Sequence, residues 1–272
     1  MNNKIKHGLP NNENKNNHYC NCNQEIIDSL NNYLNKHPEC TIYQHSLMSS
    51  LIAGVYESDV TIADLLKHGD FGLGTFNHLD GELVVFDSNV FQLRSDGSAR
   101  EANHSQQSPF AVMTFFTPDI EHHFSESVTE QEVHDTINRY IPSDNLFCAI
   151  KIEGEFELVK TRTVPRQEPP YLPMLEAIAN QPIFTFHNEV GLIVGFRSPQ
   201  FTQGINVAGF HEHYINQQRK GGGHILDYKL KKGTLQIGVI SRLTIDLPHQ
   251  STFLEANLMP DDLHQAIKQA EN

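Results

Sequence analysis

The 272-residue sequence predicts an α+β fold of two mostly-β lobes with a few short helices. Three observations carry this expectation. Short runs of β-branched and aromatic residues, separated by turn residues, recur along most of the chain. Strands follow strands with few helical spacings between them, which argues against a doubly wound parallel sheet. A Pro-rich stretch with Pro165, Pro169, Pro170 and Pro173 divides two strand-rich regions and reads as a linker. The expected organisation is a tail over 1–24, an N-terminal α+β lobe over 25–165 and a C-terminal β-rich lobe over 166–272.

Residues 1–24 are rich in Asn and poor in apolar groups, the composition of a solvated, disordered tail. Over 25–36, Ile26, Ile27, Leu30, Tyr33 and Leu34 recur at helical spacing, and Pro38 stops the run. Thr61 and Asp64 have the spacing of a capping box and open a short helix that ends at Gly69. Strands are expected over 72–77, 82–87 and 89–94, the last two forming a hairpin around Asp87-Ser88-Asn89. The continuous apolar run over 111–116 reads as a buried strand. Residues 130–140 form a further helix. Strands over 146–152 and 155–161 meet at a turn, Glu153-Gly154. Beyond the linker come strands over 183–187, 190–196, 209–215, 224–231 and 234–247, then a helix over 260–271.

Composition narrows the function. Thirty-three acidic residues against twenty Lys and Arg give a net charge of −13. Nucleic acid and anionic membranes both require clustered cations, so neither is an expected partner. No run of about 18 apolar residues occurs, and the N-terminus lacks the apolar core of a signal peptide. The expected location is cytoplasmic. Four Cys leave little room for a disulfide scaffold, whereas sixteen His make imidazole the expected metal ligand. The C-x-C pair Cys20 and Cys22, with His18, lies within the tail.

The informative segment is Gly209-Phe-His211-Glu-His213, followed by Gly221-Gly-Gly-His224. On a strand, His211 and His213 share one face and Glu212 takes the other. The glycine-rich turn allows the chain to reverse and bring His224 to the same place. Three His with an open position is the arrangement of a catalytic metal site. The glycines do not read as a phosphate loop, because His replaces the Lys-Ser/Thr pair such a loop needs. Glu82, presented by the Asp80-Gly81 turn, and Arg162, at a strand end before the linker, are candidate acid and anion-holding groups.

These motifs resemble the bacterial α-acetolactate decarboxylases. The segments GDFGLGTFNHLDGE (69–82), VGFRSPQFTQGINVAGFHEHYI (194–215) and RKGGGHILD (219–227) carry the likeness, which runs from about Tyr43 to the C-terminus. The resemblance implies a zinc ion held by His211, His213 and His224. It implies Glu82 and Arg162 at the metal site and Thr75 in the substrate pocket. It also implies a Glu returning from the C-terminal helix, Glu271 by position or else Glu255. The family pattern has an apolar residue between the two His; Glu212 replaces it here and is expected to point outward. Homodimers of two-lobed subunits, with the active site between the lobes, are implied as well. So is the reaction, (S)-2-acetolactate to (R)-acetoin and CO2, in acetoin and butanediol formation. Two alternatives stand beside it. One is a cupin-like metal-dependent oxygenase or isomerase, although Asn216, Gln217 and Gln218 replace the Glu that a cupin carries after its second His. The other is a non-enzymatic metal-binding protein.

Overall fold

In the computed structural model, the structure describes residues 28, 40–141 and 143–271. The expected tail, its C-x-C pair and most of the helix over 25–36 lie outside these residues. Two sheets face each other. The first is built from β1 (Thr41–His45), β2 (Phe71–Thr75), β3 (Glu82–Phe86), β4 (Asn89–Leu93), β5 (Ala99–Glu101), β6 (Phe110–Thr114) and β13 (Arg242–Asp246). The second uses β7 (Ile120–Phe124), β8 (Val128–Thr129), β9 (Phe147–Arg162), β10 (Ile183–Ser198), β11 (Gly209–Asn216) and β12 (Gly222–Ile240). The helices are short: α1 (Met48–Ile52), α2 (Ile62–Leu65), α3 (Glu130–Tyr140), α4 (Met174–Ala177), α5 (Ser251–Leu254) and α6 (Leu263–Glu271). The mostly-β expectation therefore holds.

The strand order in the first sheet is β13-β1-β6-β2-β3-β4-β5, and in the second β11-β10-β9-β12-β7, with β8 also on β12 and β11 also pairing β12. All pairs are antiparallel except β1 with β13. The expected boundary at 165–166 does not coincide with the division between the sheets. β7, β8 and β9 precede it yet lie in the second sheet; β13 follows it yet lies in the first.

Alternation along the strands sorts side chains into layers. On β3, Val84 and Phe86 face the second sheet, while Leu83 and Val85 pack outward on Ile62 and Leu65 of α2. On β11, Ile215 faces the first sheet and Tyr214 packs outward under Val133 and Ile137 of α3. The central core holds Leu73, Val112, Val194 and Phe196 from both sheets, closed at one end by Met48, Leu51, Leu263 and Ile267 from α1 and α6.

Several elements differ from the sequence expectation. The strands expected over 146–152 and 155–161 form one strand, β9. Gly154 is not a turn residue: it pairs with Gly191 on one side and Gly233 on the other, and a Cβ there would sit 2.4 Å from the Lys232 carbonyl oxygen. The runs 183–187 and 190–196 likewise fuse into β10, with Asn188 at φ 51°. The break expected between 231 and 234 falls instead at Ser241, where the chain leaves the second sheet for the first. The helix over 130–140 and the hairpin at Asp87-Ser88 are as expected, both hairpin residues having positive φ.

Candidate active site

His211 and His213 are two apart on β11, on the face that carries Ile215 into the central core. His213 lies directly across from His224 on β12, and His224 lies directly across from Arg162 on β9. Ring centroids of the three His are 5.1, 5.1 and 5.5 Å apart, and one nitrogen from each lies within 4.8 Å of the others. The glycines before His224 make this pairing sterically feasible. A Cβ on Gly222 would meet the Tyr214 carbonyl oxygen at 2.1 Å.

Glu82 enters from the first sheet. Gly81, at φ 82°, sets its turn, and a Cβ there would sit 2.2 Å from the Leu93 carbonyl oxygen. Thr75 pairs with Glu82 across β2 and β3, and its hydroxyl donates to the Gly81 carbonyl at 2.8 Å. Thr75 therefore braces the turn that aims Glu82, besides lining the cavity. Glu82 Oε2 lies 3.7 Å from His213 Nε2. Glu271 comes from the last turn of α6, its Oε2 3.6 Å from His211 Nε2 and 3.8 Å from His224 Nδ1. The Arg162 guanidinium donates to the Ala270 carbonyl, tying the end of α6 to β9. Glu255 is exposed beyond α5 and does not line this cavity.

The cluster is buried, and burial sets its charges. Desolvation, with Arg162 adding, lowers His211 to about 3, and His213 and His224 lie well below the ordinary range. All three are neutral imidazoles at neutral pH, the form that ligates metals. Burial pushes Glu82 up to about 8, with Arg162 opposing and Glu271 adding. Burial raises Glu271 to about 7, again against Arg162. Met48, Leu51, Phe110, Met174 and Ile178 form an apolar wall opposite.

The donor set fits a divalent cation. His213 Nδ1–H donates to the Leu83 carbonyl at 2.8 Å, which fixes the ring and leaves Nε2 facing the cluster. His213 Nε2, His211 Nδ1 and Glu271 Oε2 are buried without a hydrogen-bond partner among the described residues. Such atoms are costly unless something satisfies them. Neutral imidazoles flanked by carboxylates match the ligand preference of zinc and its first-row neighbours.

Glu212 departs from expectation. It points away from the three His, as its position on β11 requires, but it is only 4% exposed. His134 Nε2 lies 3.1 Å from its Oε2. Sequence reasoning missed His134 and Glu130 on α3, because no local pattern shows that α3 covers β11. Among the other His, His187 and His249 are exposed, and His78 bonds the Tyr171 hydroxyl.

Comparison with known proteins follows the same lines. The profile described as Alpha-acetolactate decarboxylase matches residues 42–260. The alpha-acetolactate decarboxylase of Klebsiella aerogenes is 56% identical over 253 residues, covering 93% of this chain and 97% of that protein. The chain belongs to the alpha-acetolactate decarboxylase family. The crystal structure of alpha-acetolactate decarboxylase from Bacillus subtilis strain 168 superposes with a TM-score of 0.84 at 46% identity, covering 85% of this chain and 99% of that one. A Staphylococcus aureus structure, described as similar to alpha-acetolactate decarboxylase, gives 0.82 at 30% identity, over 85% of this chain and all of that one. Family membership sets aside the cupin-like and non-enzymatic readings.

Proposed function

We propose that this chain catalyses the metal-dependent decarboxylation of (S)-2-acetolactate to (R)-acetoin and CO2, serving acetoin and butanediol formation. The observation that carries this is the meeting of His211, His213, His224, Glu82, Arg162 and Glu271 in one buried cavity between two sheets. In this reading His211, His213 and His224 hold zinc, with Glu271 beside them. The bound cation supplies Lewis acidity toward the substrate's carbonyl and hydroxyl oxygens.

The chain's own residues do the rest. The substrate is an anion, and Arg162 is the fixed cation inside the cavity, so it holds and orients a carboxylate or alkoxide. The apolar wall excludes water and strengthens that interaction. As the bond from C2 to the carboxylate breaks, its electron pair withdraws into the adjacent carbonyl, and C2 must then gain a proton on one face. Glu82 and Glu271 flank the His cluster from different elements, and either carboxyl, raised toward neutrality by burial, can deliver that proton. Delivery from one fixed side accounts for a single enantiomer. A homodimer and a cytoplasmic location belong to the same reading; no described helix is long and apolar enough to cross a membrane.

The direct test is incubation of purified protein with racemic acetolactate, with and without chelator. Chelator-sensitive acetoin of one hand is the expected result. Absence of acetoin from metal-replete protein sinks the reading.

A further inference from the structure

The face of β11 opposite the three His carries a second cluster. Glu212 is buried there; Oε2 is 3.1 Å from His134 Nε2, while Oε1 is buried with no hydrogen-bond partner among the described residues. Glu130 lies four residues before His134 on α3, so both side chains share one helix face. One ligand atom each from Glu130, His134 and Glu212 lies within 4.8 Å of the others. The His134 ring stacks on Phe210 at 3.6 Å and 2°, which fixes the direction of its nitrogens. The cluster borders a cavity of about 530 Å³ that Asp227, His224 and Glu271 also line.

Charge at this cavity does not balance. Glu130, Glu212 and Asp227 face one another with only the imidazole of His134 to offset them among the cavity's titratable groups other than His224 and Glu271. Burial, with Glu212 and Asp227, pushes the Glu130 carboxyl up to about 7 against His134. An ion pair between His134 and Glu212 leaves Glu212 Oε1 unsatisfied, and a buried unpaired carboxylate oxygen is costly. Two carboxylates and an imidazole form the mixed oxygen–nitrogen set of first-row divalent metals, and the imidazole disfavours Mg²⁺ and Ca²⁺.

We propose that Glu130, His134 and Glu212 form a second site for a first-row divalent cation, separated from the His211, His213 and His224 cluster by the thickness of β11. It holds positive charge at an otherwise acidic cavity that adjoins the site of an anionic substrate.

Metal counting tests this. The full chain is stripped of metal, titrated separately with Zn²⁺ and Mn²⁺, and freed of excess by gel filtration before elemental analysis. Wild-type protein is expected to retain two equivalents of at least one of these metals. Glu130→Gln and, independently, His134→Gln are each expected to retain one fewer, with unchanged far-UV circular dichroism. His224→Ala is expected to lose the other equivalent, together with acetoin formation. A wild type that retains one equivalent, or folded Glu130→Gln and His134→Gln proteins that both match the wild-type count, overturns the second site. Active protein with one equivalent refutes only this proposal, whereas two equivalents without acetoin refute only the enzymatic reading.

Discussion

Arg162 is the residue on which the cavity's electrostatics turn. Its charge opposes protonation of His211 and His224 and favours ionisation of Glu82 and Glu271, while burial pushes the carboxyls the other way. The carboxyls are thereby left near the pH at which a proton can be both held and released. Replacing Glu82 by Gln keeps the shape and removes the proton; metal content is expected to stay while kcat falls roughly 10²–10⁴-fold. Metal lost with activity in that variant would make Glu82 a ligand. His224→Ala is expected to remove the metal equivalent held by the three His and to reduce acetoin formation to background, measured on one preparation. A buried His away from the cavity also contributes to stability toward acid. His45 on β1 is buried against the Ser58 hydroxyl at 2.7 Å, and burial lowers it to about 4, with Asp246 opposing. Its folded-state pKa lies below the unfolded value, so the unfolded chain binds the extra proton as pH falls. Stability is lost between about pH 6.5 and 4 and levels off below, by at most about 3 kcal/mol. Thermal unfolding of His45→Gln from pH 7 to 4 should show a shallower loss than wild type; equal slopes would refute this assignment.

At the scale of elements, spacing exposed what is local and concealed what is not. α3 was legible because its signal lies within the helix: Thr129 and Glu132 exchange capping hydrogen bonds, and Val133, Thr136 and Ile137 form one buried stripe. Thr129→Ala is expected to cost about 1 kcal/mol, read as a lower urea midpoint at unchanged slope. The H-x-H pair and the glycine turn were legible for the same reason: a strand's period places His211 and His213 on one face without further information. Gly154 was misread because a glycine that admits a neighbouring strand has the same letter as one that turns the chain; only the partners Gly191 and Gly233 distinguish them. β1 was missed because Gln44 and His45 are polar yet buried, the Gln44 amide donating to the carbonyls of Ser46 and Ile205. The apolar wall of the site was unreadable too, since Met48, Phe110 and Met174 meet only after both sheets have packed.

At the scale of the whole molecule, the two sheets share the chain rather than divide it. β9 supplies the second sheet from before the Pro-rich stretch, and β13 returns to the first from after it. Fragments 1–165 and 166–272, made separately, are therefore each expected to lack cooperative unfolding by circular dichroism. A fragment that melts cooperatively alone would show that the interleaving is dispensable. The acidic total of −13 also acquires a local meaning, because an anionic substrate must be drawn in by local positive charge such as that of Arg162 against the field of the rest. The pairing of β1 with β13 has a consequence for biogenesis. Thr41 sits beside Arg242, and at ribosomal speeds of about 5–20 residues per second the earlier strand waits roughly 10–40 s for its neighbour to be made. Throughout that interval its outer edge offers unpaired amides to any other nascent chain nearby. Yield in a crowded, fast-translating host should therefore depend on the tempo of synthesis as well as on the strength of the finished core.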